Sequence, residues 1–317
     1  MNAAQSRAVR RLLLDAALAE IVPELRARNV ESLLLKGPAV ARRLYERPEE
    51  RGYGDIDLLV PPTQFAAAQS ALHELGFRDR YAGARASERS HHHDTFQRSR
   101  GPAAIVELHR TLRLVPASHS RVWDLLSADA VRIEVAGVTV DTPAPAALGV
   151  IVALHAAQHG VRAAQPVRDL TLALERIQPE DWAAAADLAR GLNAEASVAE
   201  GLRLLPRGAE LAVALGLPER GARFARLGAS SPSATSWGIE HLFTAGSTRA
   251  RLRLVADELA PSPVFMRGWQ PIARRGLPGL ILAYAWRPFW LAAKLPRGIR
   301  DWFRAAFPSG RNARVDV

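Results

Sequence analysis

Two acidic residues at alternate positions in an otherwise apolar strand constrain this chain more than anything else in it. The stretch from Leu33 to Val60, LLLKGPAVARRLYERPEERGYGDIDLLV, opens with an apolar strand (Leu33 to Leu35) and a Lys36-Gly37 turn. A short helix over roughly Ala39 to Tyr45, a loop, and a second strand over Asp55 to Val60 follow. Gly37 lets the backbone approach a ligand closely, and Pro38 suits the first position of a helix. Free amides at such a helix start face anions such as phosphate. Asp55 and Asp57 lie two residues apart, so a strand projects both carboxylates from one face. Two acids beside a phosphate-binding turn are what a divalent cation needs to hold a triphosphate for attack.

Composition narrows the partners. The 317 residues allow about two domains on size alone, and 48% hydrophobic content supplies a core. Mean hydropathy near zero fits a soluble protein. The net charge of +10 favours anionic partners. Lys36 and Lys294 are the only lysines among 42 basic residues, so Lys36 stands where the chain otherwise writes Arg. With no cysteine, disulfides, thiolate nucleophiles and Cys-ligated zinc are excluded. The N-terminal segment is amphipathic and broken by Asp15 and Glu20, and predicts a cytoplasmic protein.

Taken in order, residues 6–28 predict a helix with a broad apolar stripe. After the second strand Pro61-Pro62 stops it, and Thr63 is expected to cap a helix running to about Leu75 and closed by Gly76. An extended piece, a mobile loop over 82–91, and a strand over His92 to Arg98 come next. Residues 103–110, AAIVELHR, form a third acid-bearing strand with Glu107 and His109 on one face. Arg132 to Val135 and Val138 to Val140 form a hairpin across Ala136-Gly137. The pattern to this point is α/β with a mixed sheet. From Pro145 five helices follow to about Leu215, with lengths typical of a bundle. A linker comes after Gly216, then a helix from Trp237 to Leu259, then a tail holding four of the seven tryptophans. Its apolar run from Leu277 to Trp286, ended by Arg287-Pro288, is too short to span a bilayer. These shifts in texture divide the chain into 1–144, 145–230 and 231–317.

The combination Leu-Lys-Gly, then Arg-x-x-Gly-Asp-Ile-Asp-Leu-Leu-Val, then Glu-Leu-His resembles the uncharacterised nucleotidyltransferases of the polymerase-β superfamily. That resemblance implies a polymerase-β-like catalytic domain (α+β, mixed sheet) over 1–144, an acceptor-side helical domain over 145–230 and a C-terminal helical segment. It maps the family's glycine turn to Gly37, its paired acids to Asp55 and Asp57, its third acid to Glu107, and its flanking basic residues to Lys36 and Arg51. His155 and His159, followed by Arg168-Asp169-Leu170, resemble the family's His-x-x-x-His helix and the Asp-bearing helix after it. Pro38 departs from the wider superfamily, which has Ser there. The hydroxyl contact to phosphate is missing, and backbone amides with Lys36 are expected to replace it.

The expected chemistry is magnesium-dependent (or manganese-dependent) nucleotidyl transfer. An NMP, in the expected case AMP from ATP or else from another NTP, passes to a hydroxyl or phosphate acceptor, and pyrophosphate leaves. Asp55 and Asp57 would hold the metal on the triphosphate; Glu107 would complete a second metal position or act on the acceptor hydroxyl. Lys36 would neutralise a phosphate. Arg51 would either clamp one or pair with Asp55 or Glu50. A small molecule, a peptide or protein side chain, and an RNA end all remain open as acceptors. The competing class is a non-catalytic nucleotide-binding or scaffolding protein of the same fold.

Several histidines stand near these elements. His91, His92 and His93 cannot all ligate one ion from a regular strand, because neighbours point to opposite faces. One of them, His93, would face the substrate. His109 would orient the acceptor or the Glu107 acid, or stand as a buried structural histidine. His155 and His159 have zinc-compatible spacing but lack the glutamate of a zincin, so an interdomain or acceptor-side role is expected, with Asp169 bonding either. The tail, with Arg267, Arg274, Arg275, Arg287, Arg297 and Arg300 among Trp and Phe, has three readings. They are a packed helical cap, which leads, an interfacial membrane helix, and a nucleic-acid groove.

Overall fold

A computed structural model describes residues 3–85, 91–219, 223–229 and 234–307. The chain divides into two compact units, one made of Met1–Arg80 with His91–Gly221, the other of Tyr81–Ser90 with Ala222–Val317.

The first unit is built on a five-stranded mixed sheet. Its strands are β1 (Leu33–Leu34), β2 (Ile56–Leu59), β3 (Arg78–Asp79), β4 (His93–Arg98) and β5 (Ala104–His109), in the spatial order β1-β2-β5-β4-β3. β2 and β5 run parallel, and every other pair is antiparallel. The alternation of side chains along the strands sorts the sheet into two faces. Leu34, Ile56, Leu58, Val106, Leu108 and Phe96 point to one core, where they meet Leu14, Leu18 and Ile21 of helix α1 (Ala3–Ala27) and Leu72 of α3 (Phe65–Glu74). Leu33, Leu35 and Leu59 point the other way, and Asp57, Glu107 and His109 share that side. Helix α2 (Pro38–Leu44) lies between β1 and β2 in sequence. A 3-10 turn over Pro62–Gln64 precedes α3, so Thr63 sits inside that turn and does not cap the helix; Gln64 takes the cap position.

Helix α4 (His119–Ser127) is not among the expected elements; Ser118 caps it by accepting from the Arg121 amide at 3.4 Å. The hairpin β6 (Val131–Val135) and β7 (Val138–Thr142) turns on Ala136 and Gly137, as read from the sequence, and sends Val135 and Val140 into the α1 core. The five helices follow as expected: α5 (Pro145–His159), α6 (Ala164–Arg176), α7 (Pro179–Gly191), α8 (Glu195–Leu202) and α9 (Pro206–Ala214). α5 is apolar on almost every side because α6, α7 and α8 all pack on it. At its crossing with α8 a Cβ on Gly201 would stand 2.0 Å from the Ala153 carbonyl oxygen, so only glycine permits that approach. The border expected between residues 144 and 145 falls inside one core: Leu33, Leu35, Leu44 and Leu59 pack with Leu148, Ile151 and Leu170. The sheet and the bundle are therefore one unit.

The second unit holds α10 (Arg223–Ala229), α11 (Ala234–Thr244), α12 (Thr248–Leu259), α13 (Pro263–Trp269), a 3-10 turn over Pro271–Arg274, and the 31-residue α14 (Gly276–Ala306). α10 lies where a linker is expected. The single helix expected from Trp237 to Leu259 is instead two, because Ser247 caps a fresh start at the Ala250 amide. α14 continues through Arg287-Pro288, where the sequence suggests an end. Arg85 donates to Asp257 at 2.7 Å within this unit. The mobile-loop, linker and tail expectations fall partly on residues 86–90, 220–222, 230–233 and 308–317, which lie outside the described residues. Among the described residues no helix is long and apolar enough to cross a membrane.

Candidate active site

Parallel pairing of β2 with β5 sets Asp57 directly beside Glu107 and Leu59 beside His109. On the other flank of β5, β4 sets His93 opposite His109. Lys36, at the end of the first apolar strand, reaches Asp57 with Nζ to Oδ1 at 2.8 Å. His109 Nε2 donates to the same Asp57 oxygen at 3.1 Å and stands 3.5 Å from Glu107 Oε2. Its other nitrogen, Nδ1, faces the Thr111 carbonyl at 3.3 Å. A carboxylate and a carbonyl are both acceptors, so the geometry favours the doubly protonated ring; burial opposes that charge, and the hydrogen bonds to Asp57 and Glu107 raise the His109 pKa in spite of it. His93 Nε2 lies 3.5 Å from the other Glu107 oxygen. One ligand atom each from His93, Glu107 and His109 fall within 4.8 Å of one another, a grouping fit for a metal ion.

The electrostatics follow from this crowding. Burial by itself would raise the Asp57 carboxyl, but the Lys36 ammonium and the His109 ring outweigh it and hold Asp57 well below the usual carboxylate range. At Asp55 burial first, then the charges of Asp57 and Glu107, push the carboxyl up to about 6; the charges of Lys36 and His109 pull down but are outweighed. Burial also opposes the Lys36 charge, yet Asp57, Glu107 and Asp55 together raise it. Burial opposes the charge on Glu107 as well, and the His109 hydrogen bond keeps it below its ordinary value. Burial and the His109 charge push His93 down to about 4. Three acids thus converge on one ammonium and on one histidine whose protonated form they favour.

The turn that presents Lys36 is held from behind. Gly37 has φ 58 and ψ −115, a conformation that strains any residue with a side chain. Ala39 donates to the Lys36 carbonyl at 3.2 Å and Pro38 has no amide, so the start of α2 offers an anion fewer amides than its sequence suggests. Arg51 pairs with neither Asp55 nor Glu50. Its Nη1 donates to the Gly37 carbonyl at 3.1 Å, and Nε and Nη2 form a fork on Asp169 of α6, with Nη2 to Oδ2 at 2.7 Å. Tyr45 donates to Asp169 Oδ1 at 2.7 Å, and Gln165 donates to it at 3.0 Å. Asp169 is thus Arg51's counter-ion, in place of the histidine partner expected from sequence. Tyr45 and Gln165 escaped the sequence reading; Gln165 stands one helical turn before Asp169, the spacing at which two helical side chains meet.

His155 and His159 meet edge to face on α5, with ring centroids 4.6 Å apart. Burial, then the Lys36 charge, lowers the half-buried His155 well below its ordinary value. His92 is pushed down to about 2 by burial and by His93 and His109. Asp94 turns away from the site, as strand alternation requires, and accepts from Arg110 at 2.8 Å and Gln69 at 3.0 Å.

A five-stranded mixed sheet with acids on one face, a glycine turn against them and a helical bundle packed on it is the α/β frame of this site. Residues 1–207 match the family described as uncharacterised nucleotidyltransferase, and the chain belongs to that family. No curated protein matches it. Among solved structures, the antibiotic-resistance factor ANT(2'')-Ia in solution is similar at 16% identity and TM-score 0.41, over 56% of this chain and 90% of that one. The same factor crystallised with adenylyl-2''-tobramycin is similar at 15% identity and TM-score 0.38, over 56% of this chain and 96% of that one. An antigenic nucleotidyltransferase-like protein from Paracoccidioides brasiliensis is similar at 16% and 0.41, over 65% and 94%.

Proposed function

We propose that the protein transfers a nucleoside monophosphate, AMP from ATP in the expected case, to a hydroxyl or phosphate oxygen of its acceptor, with release of pyrophosphate. The observation that carries this reading is the in-register pairing of Asp57 with Glu107 beside the Lys36-Gly37 turn. A divalent cation fits the donor set. Asp55 is raised by burial and then by its neighbours' charge, and Asp57 already draws two of the protein's own basic groups. Asp55, Asp57 and Glu107 would hold magnesium or manganese, which would neutralise the triphosphate and polarise the attacking oxygen. If a cation displaces the His109 Nε2 proton, the nitrogens of His93 and His109 beside Glu107 would suit manganese better than magnesium at that end of the site.

The chain's own groups then divide the work. Lys36 is the cationic partner of a donor phosphate, and Gly37 lets the backbone come close to it. Glu107 takes the proton of the acceptor hydroxyl as its oxygen bonds to the α-phosphorus and the bond to the β-phosphate bridge breaks. In the metal-free site His109, donating from Nε2 to Asp57 and standing 3.5 Å from Glu107, fixes the orientation of the two acids. Arg51 and Asp169 position the turn. His93, His155 and His159 would line the acceptor side.

The test is thermal stabilisation by ATP that depends on magnesium or manganese, followed by pyrophosphate release with candidate acceptors and mass spectrometry of the products. Asp55→Ala should abolish transfer and leave the fold intact. Nucleotide binding with no release across many acceptors would instead favour the scaffolding class.

A further inference from the structure

The long C-terminal helix is dressed on one side only. At 31 residues, α14 is about 46 Å long. One face is anchored along its length: Leu280 and Ala283 pack with Met266 and Ala273, and Trp302 and Ala305 pack with Leu227 and Ile239. Trp302 Nε1 donates to Glu240 at 2.7 Å, and Arg287 Nη2 to Glu258 at 2.8 Å. A packed cap, the leading expectation, describes this face alone.

The opposite face is apolar and bare. Leu277, Ile281 and Phe289 fall at helical steps along its first half, and Leu295, Ile299 and Phe303 repeat the step of four along its second. Leu277 and Phe289 are each 69% exposed. Single exposed apolar residues are ordinary on soluble proteins, but a continuous row of them marks a surface with a partner. The charges beside the row have one sign. Lys294, Arg297, Arg300 and Arg304 are exposed, and Arg274 and Arg275 stand just before the helix. Its one acid, Asp301, lies 3.8 Å from Arg297.

From this pattern we infer that α14 lies in the plane of an anionic lipid surface, its apolar face among the acyl chains and its basic rim on the headgroups. The chemistry matches an interfacial helix: a cationic flank, bulky apolar and aromatic residues opposite, and exposed Trp286 where an indole prefers the boundary. A second copy is the poorer occupant. Face-to-face pairing would bring the two arginine rims together, and the exposed Pro278, Pro288 and Pro296 break the even ridges that helix pairs interlock. Lipid tolerates both. The proposal does not depend on the transferase chemistry.

The experiment is co-sedimentation of the full chain with phosphatidylcholine vesicles and with vesicles that also carry phosphatidylglycerol. The chain should partition onto the anionic vesicles, and salt should release it. Arg300→Ala with Arg304→Ala should lower that partition by about tenfold or more and change the neutral-vesicle result little. Phe289→Glu should abolish binding to both. Far-UV circular dichroism and the melting temperature establish that each variant folds, and Ile281→Glu replaces Phe289→Glu if the latter does not. Failure of the wild-type chain to bind anionic vesicles overturns the proposal. So does a dimer in sedimentation velocity that Phe289→Glu dissolves, because the face would then belong to a second copy.

Discussion

Asp169→Asn should expose how much of the site depends on a side chain that lies behind it. Asp169 is 1% exposed and accepts from Arg51, Tyr45 and Gln165. Asparagine keeps the volume but removes the charge and turns an amide NH2 toward donors, which leaves a guanidinium that is 4% exposed without its counter-ion. Breaking a buried pair this way costs about 3–5 kcal/mol. For a unit of this size each kcal/mol shifts the melting temperature by about 2–4 °C, so the first unit should melt roughly 6–20 °C lower. Differential scanning calorimetry reads this directly. Arg51→Met combined with Asp169→Leu removes both charges, and should be less destabilised than either single variant. Nucleotide affinity should not return with stability in the double variant, because the Arg51 bond to the Gly37 carbonyl is gone. A shift of under about 1 kcal/mol for Asp169→Asn, the range of a surface pair, would refute this reasoning. So would a double variant as damaged as the two singles added together.

Two further outcomes follow from the charges at the site. Asp55 has a raised folded-state pKa, so its ionised form strains the metal-free protein at pH above about 6, and the strain vanishes as pH falls through the carboxylate range. Asp55→Asn should therefore stabilise the metal-free protein at neutral pH by on the order of 2 kcal/mol and lose that gain in acid, while weakening manganese binding; a variant less stable than wild type at neutral pH would contradict it. His109 is raised despite its burial, by Asp57 and Glu107, so its bound proton contributes stability at low pH that is lost as pH rises through the folded value. Metal-free stability should decline from neutral to alkaline pH and manganese binding should release protons; calorimetric titration in buffers of different ionisation enthalpy measures this, and an identical heat in every buffer would count against it.

The parts of the fold visible in sequence are those set by local pattern. Alternation in Asp55 to Val60 and in Ala104 to His109 announced two strands with acids on one face, and Lys36-Gly37 announced the turn, because each signal is complete within a few residues. Arg51 shows the limit. Its choice of Asp169 over nearby Glu50 lies 118 residues away in the chain, and is decided by how α6 packs against α2. At residue 145 the composition changes while one core runs across it, so texture alone does not say which helices pack on the sheet. α14 outran its apparent stop at Arg287-Pro288. Arg287 turns inward to Glu258, while Pro288 and Pro296 stay on the exposed side, where solvent can take up the carbonyls they orphan. Sequence periodicity reports that a proline is present and not which way it faces.

The alignment of β2 with β5 has a consequence for how this protein tolerates change. Slide β2 past β5 by a single position, and Asp57 is driven into the core packed on α1 while a leucine takes its place beside Glu107. Misassembly at this seam is therefore self-revealing: a molecule with Asp57 astray also buries a carboxylate in an apolar core, and does not persist. Quality control of the chemistry is delegated to the hydrophobic core, which frees the loops around it to drift.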